Sequence, residues 1–210
     1  RVLETFYEET DEGAAELADT IGAGRDDTAL EELVLQIFSK LQSHAYPLRW
    51  LAEQEEYWSA IPAQVERTPF GRELIADAQA TLRYWSAMFS DVCREMEGDE
   101  TLAAKYLPSF SAARESMEDF LARLEQGWDT AREGEILFPR LGVVRGENAQ
   151  KERAKALWDE CKKDCEKVRR RFSVSGAELR DDLQRMAPAM LALLRLTETF
   201  AQGYAAEKLR

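Results

Sequence analysis

The sequence predicts an all-α fold. Apolar residues recur at helical spacing in nearly every segment, and no stretch alternates with the period of a half-buried strand. Glycines and prolines, among them Gly22, Gly24, Pro47, Pro69, Gly98, Gly134 and Gly142, cut the chain into pieces of helical length. With 45% apolar residues among 210, the chain is long enough to bury a sizeable core. The expectation is one helical domain over residues 1–210, with roughly seven to nine helices.

The first helix is expected over residues 2–21, closed by Gly22-Ala23-Gly24. Asp26, Asp27 and Thr28 then offer N-caps, because a short side-chain oxygen accepts a hydrogen bond from an amide that the helix start leaves unpaired. The helix they open places Leu30, Leu33, Val34, Ile37, Phe38 and Leu41 on one face. Pro47 stops it and starts a short helix to Trp58, with Leu48 and Leu51 facing inward and Trp50 beside them. Thr68-Pro69 joins an N-cap to proline at the first helical position, where the missing N–H has no partner to lose. The long helix that follows carries Leu74, Ile75, Ala78, Leu82, Trp85, Met88, Phe89, Val92 and Met96, and Gly98-Asp99 breaks it. A turn of helix over 101–107 should end at Pro108. The next helix should run to about residue 132 on Phe110, Met117, Phe120, Leu121, Leu124 and Trp128.

Residues 133–148 form the clear irregular stretch, punctuated by Gly134, Pro139, Gly142 and Gly146. Its apolar anchors, Ile136-Leu137-Phe138 and Leu141-Gly142-Val143-Val144, predict that it packs against the core. A helix over 148–172 follows, then a short turn with Ser175 as cap. Residues 176–210 read as two linked amphipathic helices. Leu179, Leu183, Met186, Met190, Leu193, Thr197, Phe200 and Tyr204 keep a 4-3 spacing, and Pro188 kinks or splits the run. The chain stops at Ala205-Ala206-Glu207-Lys208-Leu209-Arg210 without a helix stop signal and starts at Arg1 in a helix-patterned stretch. Both ends therefore lead us to expect a segment of a larger protein.

Net charge is −12, which on average repels nucleic acid and anionic membrane. The charge is unevenly spread. Residues 136–172 hold 11 Lys/Arg against 6 Asp/Glu, while the rest of the chain holds 17 against 34. One basic segment thus stands out from an acidic body. Three cysteines, Cys93, Cys161 and Cys165, are too few and odd in number for a disulfide-built fold and suit a reducing cytoplasm. No apolar run approaches the roughly 20 residues of a membrane span.

On the helix over 148–172, Ala154, Leu157, Cys161, Cys165, Val168 and Phe172 fall in one stripe, with Trp158 at its edge. The two cysteines are most simply small buried apolar residues. As an i, i+4 metal pair they lack two further ligands, since His44 and Cys93 lie far along the chain, so no metal is expected. Lys151, Lys155, Lys162 and Arg169 line one flank, while Lys163, Lys167, Arg170 and Arg171 extend the charge around the back. Arg140 and Arg145 precede them in the loop. Such a ridge suits DNA phosphates, which cations bind without reading sequence. Alternatively it is a solvated face, since Asp159, Glu160, Asp164 and Glu166 stand near enough to pair with it. His44 suits capping the helix before it, and the tryptophans Trp50, Trp58, Trp85, Trp128 and Trp158 suit the core, with Trp50 or Trp58 available to a partner. The chain has no G-x-x-x-x-G-K-[ST] loop, no Glu-x-x-His pair and no nucleophile–base pairing, so no catalytic residue is assigned.

Two stretches carry a family resemblance. Near the start, Val2-Leu3-Glu4-Thr5-Phe6-Tyr7-Glu8-Glu9 leads to Leu17-Ala18-Asp19-Thr20-Ile21-Gly22 and Arg25-Asp26-Asp27. Leu30-Glu31-Glu32-Leu33-Val34-Leu35-Gln36-Ile37-Phe38, then Ser43-His44-Ala45-Tyr46-Pro47 and Trp50-Leu51, complete it. Near the end, Leu183-Gln184-Arg185-Met186-Ala187-Pro188-Ala189-Met190 runs on to Leu194, Phe200, Tyr204 and Lys208. Together they resemble AddA-type subunits, the superfamily 1 helicase–nuclease subunits of bacterial double-strand-break repair. Ile21 and Phe38 stand where that family usually has tyrosine. Residues 60–147 match in length and helical character only.

The resemblance implies the helical insertion of the first motor domain, the 1B subdomain, lying beside the DNA track. It implies that ATP, Mg and the helicase and exonuclease chemistry of repair and recombination belong elsewhere in a parent protein, with no cofactor in this segment. The partners implied are duplex DNA, the rest of the motor and an AddB-type subunit, in the cytoplasm and away from membrane. The candidate DNA-binding residues are then Lys151, Lys155, Lys162, Lys163, Arg169, Arg170, Arg140 and Arg145. The acidic bulk leaves open a protein-interaction module without DNA contact, whose sign is an exposed apolar patch away from the basic helix.

Overall fold

The computed structural model describes residues 12–21, 28–146 and 148–208. They form α1 (Glu12–Ile21), α2 (Thr28–Leu41), α3 (Pro47–Ser59), a 3-10 turn (Val65–Arg67), α4 (Pro69–Met96), α5 (Glu100–Gln126), α6 (Trp128–Arg132), α7 (Ala149–Arg171) and α8 (Gly176–Lys208). No strand occurs among the described residues, as the all-α expectation required. No helix among them is long and apolar enough to cross a membrane. The expected helix over 2–11 and the caps at Asp26 and Asp27 lie outside the described residues. The chain divides into two compact units, one of residues 63–179 and the other of residues 1–62 with 180–210.

The unit of residues 63–179 is built on α4, α5 and α7. Thr68 caps α4 as expected: its hydroxyl accepts from Gly71 N–H at 2.9 Å and donates to the Val65 carbonyl at 2.7 Å. Asp99 caps α5, accepting from the amides of Thr101 and Leu102. Asn148 caps α7, accepting from Gln150 and Lys151, and its amide nitrogen donates to Asp99 at 2.9 Å. The starts of α5 and α7 are therefore tied together. At their far ends Trp128 Nε1 donates to the Val174 carbonyl at 3.0 Å, and Gly176 N–H donates to Asp129 at 2.8 Å. Between these ties runs an aromatic core. Phe89 lies 4.5 Å from Phe110 and stacks at 5.7 Å on Trp158, and Trp128 lies 4.6 Å from Phe172.

The other unit packs α1, α2, α3 and the part of α8 from Arg180. Leu17, Leu30, Val34, Ala192, Leu193 and Leu196 make one cluster, and Leu41, Leu51, Trp58, Leu183 and Leu194 another. Phe38 meets Phe200 and Tyr204 edge-on at 5.1 and 5.2 Å.

Several expectations are corrected. Pro108 does not end a helix: α5 runs through it to Gln126, because Leu102, Tyr106, Ser109 and Phe110 on both sides bury into the same core. The break falls at Gly127, whose φ of 133° and ψ of 174° are open to glycine alone. Nor does Pro188 split the last run, which is one helix from Gly176 to Lys208. That helix buries residues on two sides, with Leu193 in one cluster and Leu194 in the other, so a single 4-3 stripe described it incompletely. Met186 is exposed. Leu48 points outward, whereas Leu51 and Trp58 hold α3 to its core. The end of α2 is closed by the Ser43 hydroxyl on the Lys40 carbonyl and by the backbone amide of His44. The exposed imidazole of His44 lies against Trp50 at 5.1 Å.

Candidate nucleic-acid interface

The basic segment folds as α7 with the irregular stretch laid beside it. Leu137 N–H donates to the Ser116 hydroxyl at 2.9 Å, Ser109 Oγ donates to the Arg140 carbonyl at 3.1 Å, and Gly142 N–H donates to the Lys105 carbonyl at 3.2 Å. As residue number rises from 137 to 142, its partner on α5 falls from 116 to 105, so the stretch climbs back along α5 in extended form. Gly142 sits so close to α5 that a Cβ there would lie 2.9 Å from the Lys105 carbonyl oxygen. Ile136, Phe138, Leu141 and Val144 pack on the core, and Phe138 stands edge-on to Trp158 at 5.2 Å. The expectation that this stretch packs is met.

The apolar stripe of α7 is buried: Ala154, Trp158, Cys161, Cys165, Val168 and Phe172. The Cys161 and Cys165 sulfurs lie 3.9 Å apart, each within 4.0 Å of the Met117 sulfur. The bond to Cys165 and then burial push the Cys161 thiol up, so it stays protonated. These are core contacts. Among the described residues no group of His, Cys, Asp and Glu gathers around a possible ion.

The structure sorts the cations of α7 by what they touch. Two of them pair with carboxylates of α4 and a third within α7. Arg153 pairs with Glu95 at 3.2 Å, and Arg171 pairs with Asp77. Asp164 accepts from Lys167 at 2.7 Å and from Trp85 Nε1 at 3.3 Å, and these bonds, the first above all, hold its carboxyl below the usual range. About 100° of turn per residue puts Arg153 and Arg171 on one flank of the helix and Lys155 and Lys162 nearly opposite, with Lys163, Lys167 and Arg170 on the back between them.

Lys155, Lys162, Lys163 and Arg170 are exposed and, among the described residues, make no ion pair or side-chain hydrogen bond. Arg140 and Arg145 are equally exposed and make no ion pair among the described residues. Lys151 differs: its side chain is only 15% exposed and is held by the Gly146 carbonyl at 2.6 Å and by Glu152 at 3.2 Å. Arg169 is half-buried, and its Nη1 donates to the Phe172 carbonyl at 3.5 Å. Of the carboxylates that a solvated face would use, Asp164 pairs with Lys167, whereas Asp159, Glu160 and Glu166 make no ion pair among the described residues.

A hollow of about 350 Å³ opens between the extended stretch and α7. Its walls are Ile136, Phe138 and Cys165, and its charged groups are Lys162, Glu166, Arg169 and Arg170. The sequence marked the cations and the apolar anchors separately. Nothing in one-dimensional spacing signalled that residues 136 and 138 come to stand beside residues 162–170.

No protein-family model matches the chain. Curated relatives do. The chain is 27% identical over 217 residues to an ATP-dependent helicase/nuclease subunit of Ruminiclostridium cellulolyticum, covering 99% of this chain and 17% of the relative. It is 28% identical over 220 residues to the protein of the same name from Acetivibrio thermocellus, with 100% and 17% covered. With that from Carboxydothermus hydrogenoformans it shares 25% over 215 residues, with 99% and 18% covered. The chain spans less than a fifth of the length of these relatives. The resemblance to AddA-type subunits therefore holds along the whole chain, its middle included.

Proposed function

We propose that this chain is the helical, 1B-like part of an ATP-dependent DNA helicase–nuclease that acts in double-strand-break repair. In this reading it contacts duplex DNA near the motor. ATP, Mg, strand separation and cleavage are assigned to the rest of the parent, and the chain itself supplies a non-catalytic guide for duplex. The observation that carries the reading is the set of exposed α7 cations that make no ion pair among the described residues, in a chain that aligns end to end with part of helicase/nuclease subunits. Cations fixed on a helix and left without carboxylate partners release counterions when they meet phosphate, which gives sequence-independent, salt-sensitive binding. The acidic remainder of the chain limits that binding to one face.

A second reading, docking of a partner such as an AddB-type subunit, is favoured by exposed apolar residues in the other unit, where Tyr46 is 71% and Leu48 51% exposed. Taken alone, it is a protein-interaction module without DNA contact. The experiment for the first is binding of the chain to a fluorescent duplex bearing a single-stranded tail, over a salt series. Weak binding that falls steeply with salt is expected, with a slope of about −0.9 for each phosphate contacted. No binding even at low salt contradicts it.

A further inference from the structure

The hollow beside α7 has a composition that a duplex backbone does not need. Phosphates are met by exposed cations, yet here Lys162, Arg169 and Arg170 surround walls of Ile136, Phe138 and Cys165. At about 350 Å³ it falls near the lower end of small-ligand sites, large enough for one nucleotide and too small for two stacked ones. Its ligand must offer an apolar ring and an anion together. A base inside a duplex is stacked on both faces and cannot enter, whereas an unpaired base carries its ring and its own phosphate. Phe138 is held from behind by Trp158, so its ring is a fixed wall, and Arg169 is steadied by the Phe172 carbonyl.

We propose that this hollow captures one unpaired nucleotide of single-stranded DNA, its base against Ile136 and Phe138 and its phosphate on Lys162, Arg169 and Arg170. The proposal rests on the DNA reading above and adds a substrate class to it: the junction between duplex and single strand. Glu166 is the one carboxylate among the lining residues and opposes the incoming phosphate.

The test compares the chain's affinity for a short single-stranded oligothymidylate, for an abasic strand of equal length and for a blunt duplex. The oligothymidylate should bind about tenfold more tightly than the abasic strand, the worth of one base–aromatic contact. Ile136→Trp, which fills the hollow, and Phe138→Leu, which keeps core volume but loses the ring, should each remove that preference and leave duplex affinity unchanged. Glu166→Gln, at an exposed position that folding does not depend on, should tighten oligothymidylate binding several-fold without helping the duplex to the same degree. Equal affinity of the unaltered chain for the two single strands overturns capture, while salt-sensitive duplex binding in the same experiment leaves the phosphate reading standing. Absence of binding to all three DNAs overturns both. A base preference that survives Ile136→Trp and Phe138→Leu, or an inert Glu166→Gln, places the base elsewhere and overturns this site.

Discussion

At the scale of single residues, buried groups of α7 serve stability, and its exposed cations without an ion pair among the described residues are the ones proposed to meet DNA. Cys161 and Cys165 are both at most 1% exposed and touch each other and Met117. In the native chain neither should react with a thiol reagent until it unfolds, and zinc should not raise the melting temperature. A zinc-dependent rise in melting temperature would restore the metal reading. Asp99 is held below its ordinary pKa by the amide of Leu102 first, then by Asn148 and Thr101. A carboxyl whose folded pKa is depressed adds stability above its unfolded value and loses it as pH falls through the folded one. Asp164 and Glu178 are lowered in the same way, chiefly by Lys167 and by the Ser175 amide. Urea stability should therefore fall as pH drops below the ordinary carboxylate range. Asp99→Asn keeps a capping oxygen but no titrating charge, so it should flatten that fall, and an unchanged pH profile would count against the assignment.

At the scale of elements, caps and breaks decide where helices begin and end. Thr68-Pro69 and the Ser175 cap were legible because each acts within a few residues; the structure adds Asn148 as the cap of α7 and Glu178 as the return partner of Ser175, with Ser175 N–H on Glu178 at 2.8 Å and Glu178 N–H on Ser175 at 3.2 Å. Pro108 and Pro188 were misread for the opposite reason. A proline removes one local bond, but whether the helix continues is settled by burial on both sides, and the partners that bury Phe110 or Leu194 lie far away in sequence. The hollow was invisible for the same cause, since it joins an extended stretch to a helix twenty to thirty residues on. Gly127 is the strictest local requirement. Gly127→Ala should cost on the order of 1–3 kcal/mol, because its backbone conformation is nearly closed to other residues. Chemical denaturation measures this, and a loss near zero would mean that α5 and α6 are joined differently.

At the scale of the whole molecule, an acidic chain carries one basic helix whose cations are divided by their neighbours. Arg153, Lys167 and Arg171 are engaged with carboxylates, while among the described residues Lys155, Lys162, Lys163 and Arg170 are not. The buried apolar stripe from Ala154 to Phe172 holds so charged a helix to the core, and the second group gives the DNA reading its specific residues. The most direct measurement is the salt dependence of duplex binding for two double variants of equal charge change. Lys155→Glu with Lys163→Glu alters two α7 cations outside the hollow that make no ion pair among the described residues, and Arg72→Glu with Arg94→Glu alters exposed cations of α4. The account predicts that the first makes the log–log slope shallower by about 2, the loss of two phosphate contacts, while the second leaves the slope as it was. Equal slopes in both variants would contradict the claim that α7 carries the DNA.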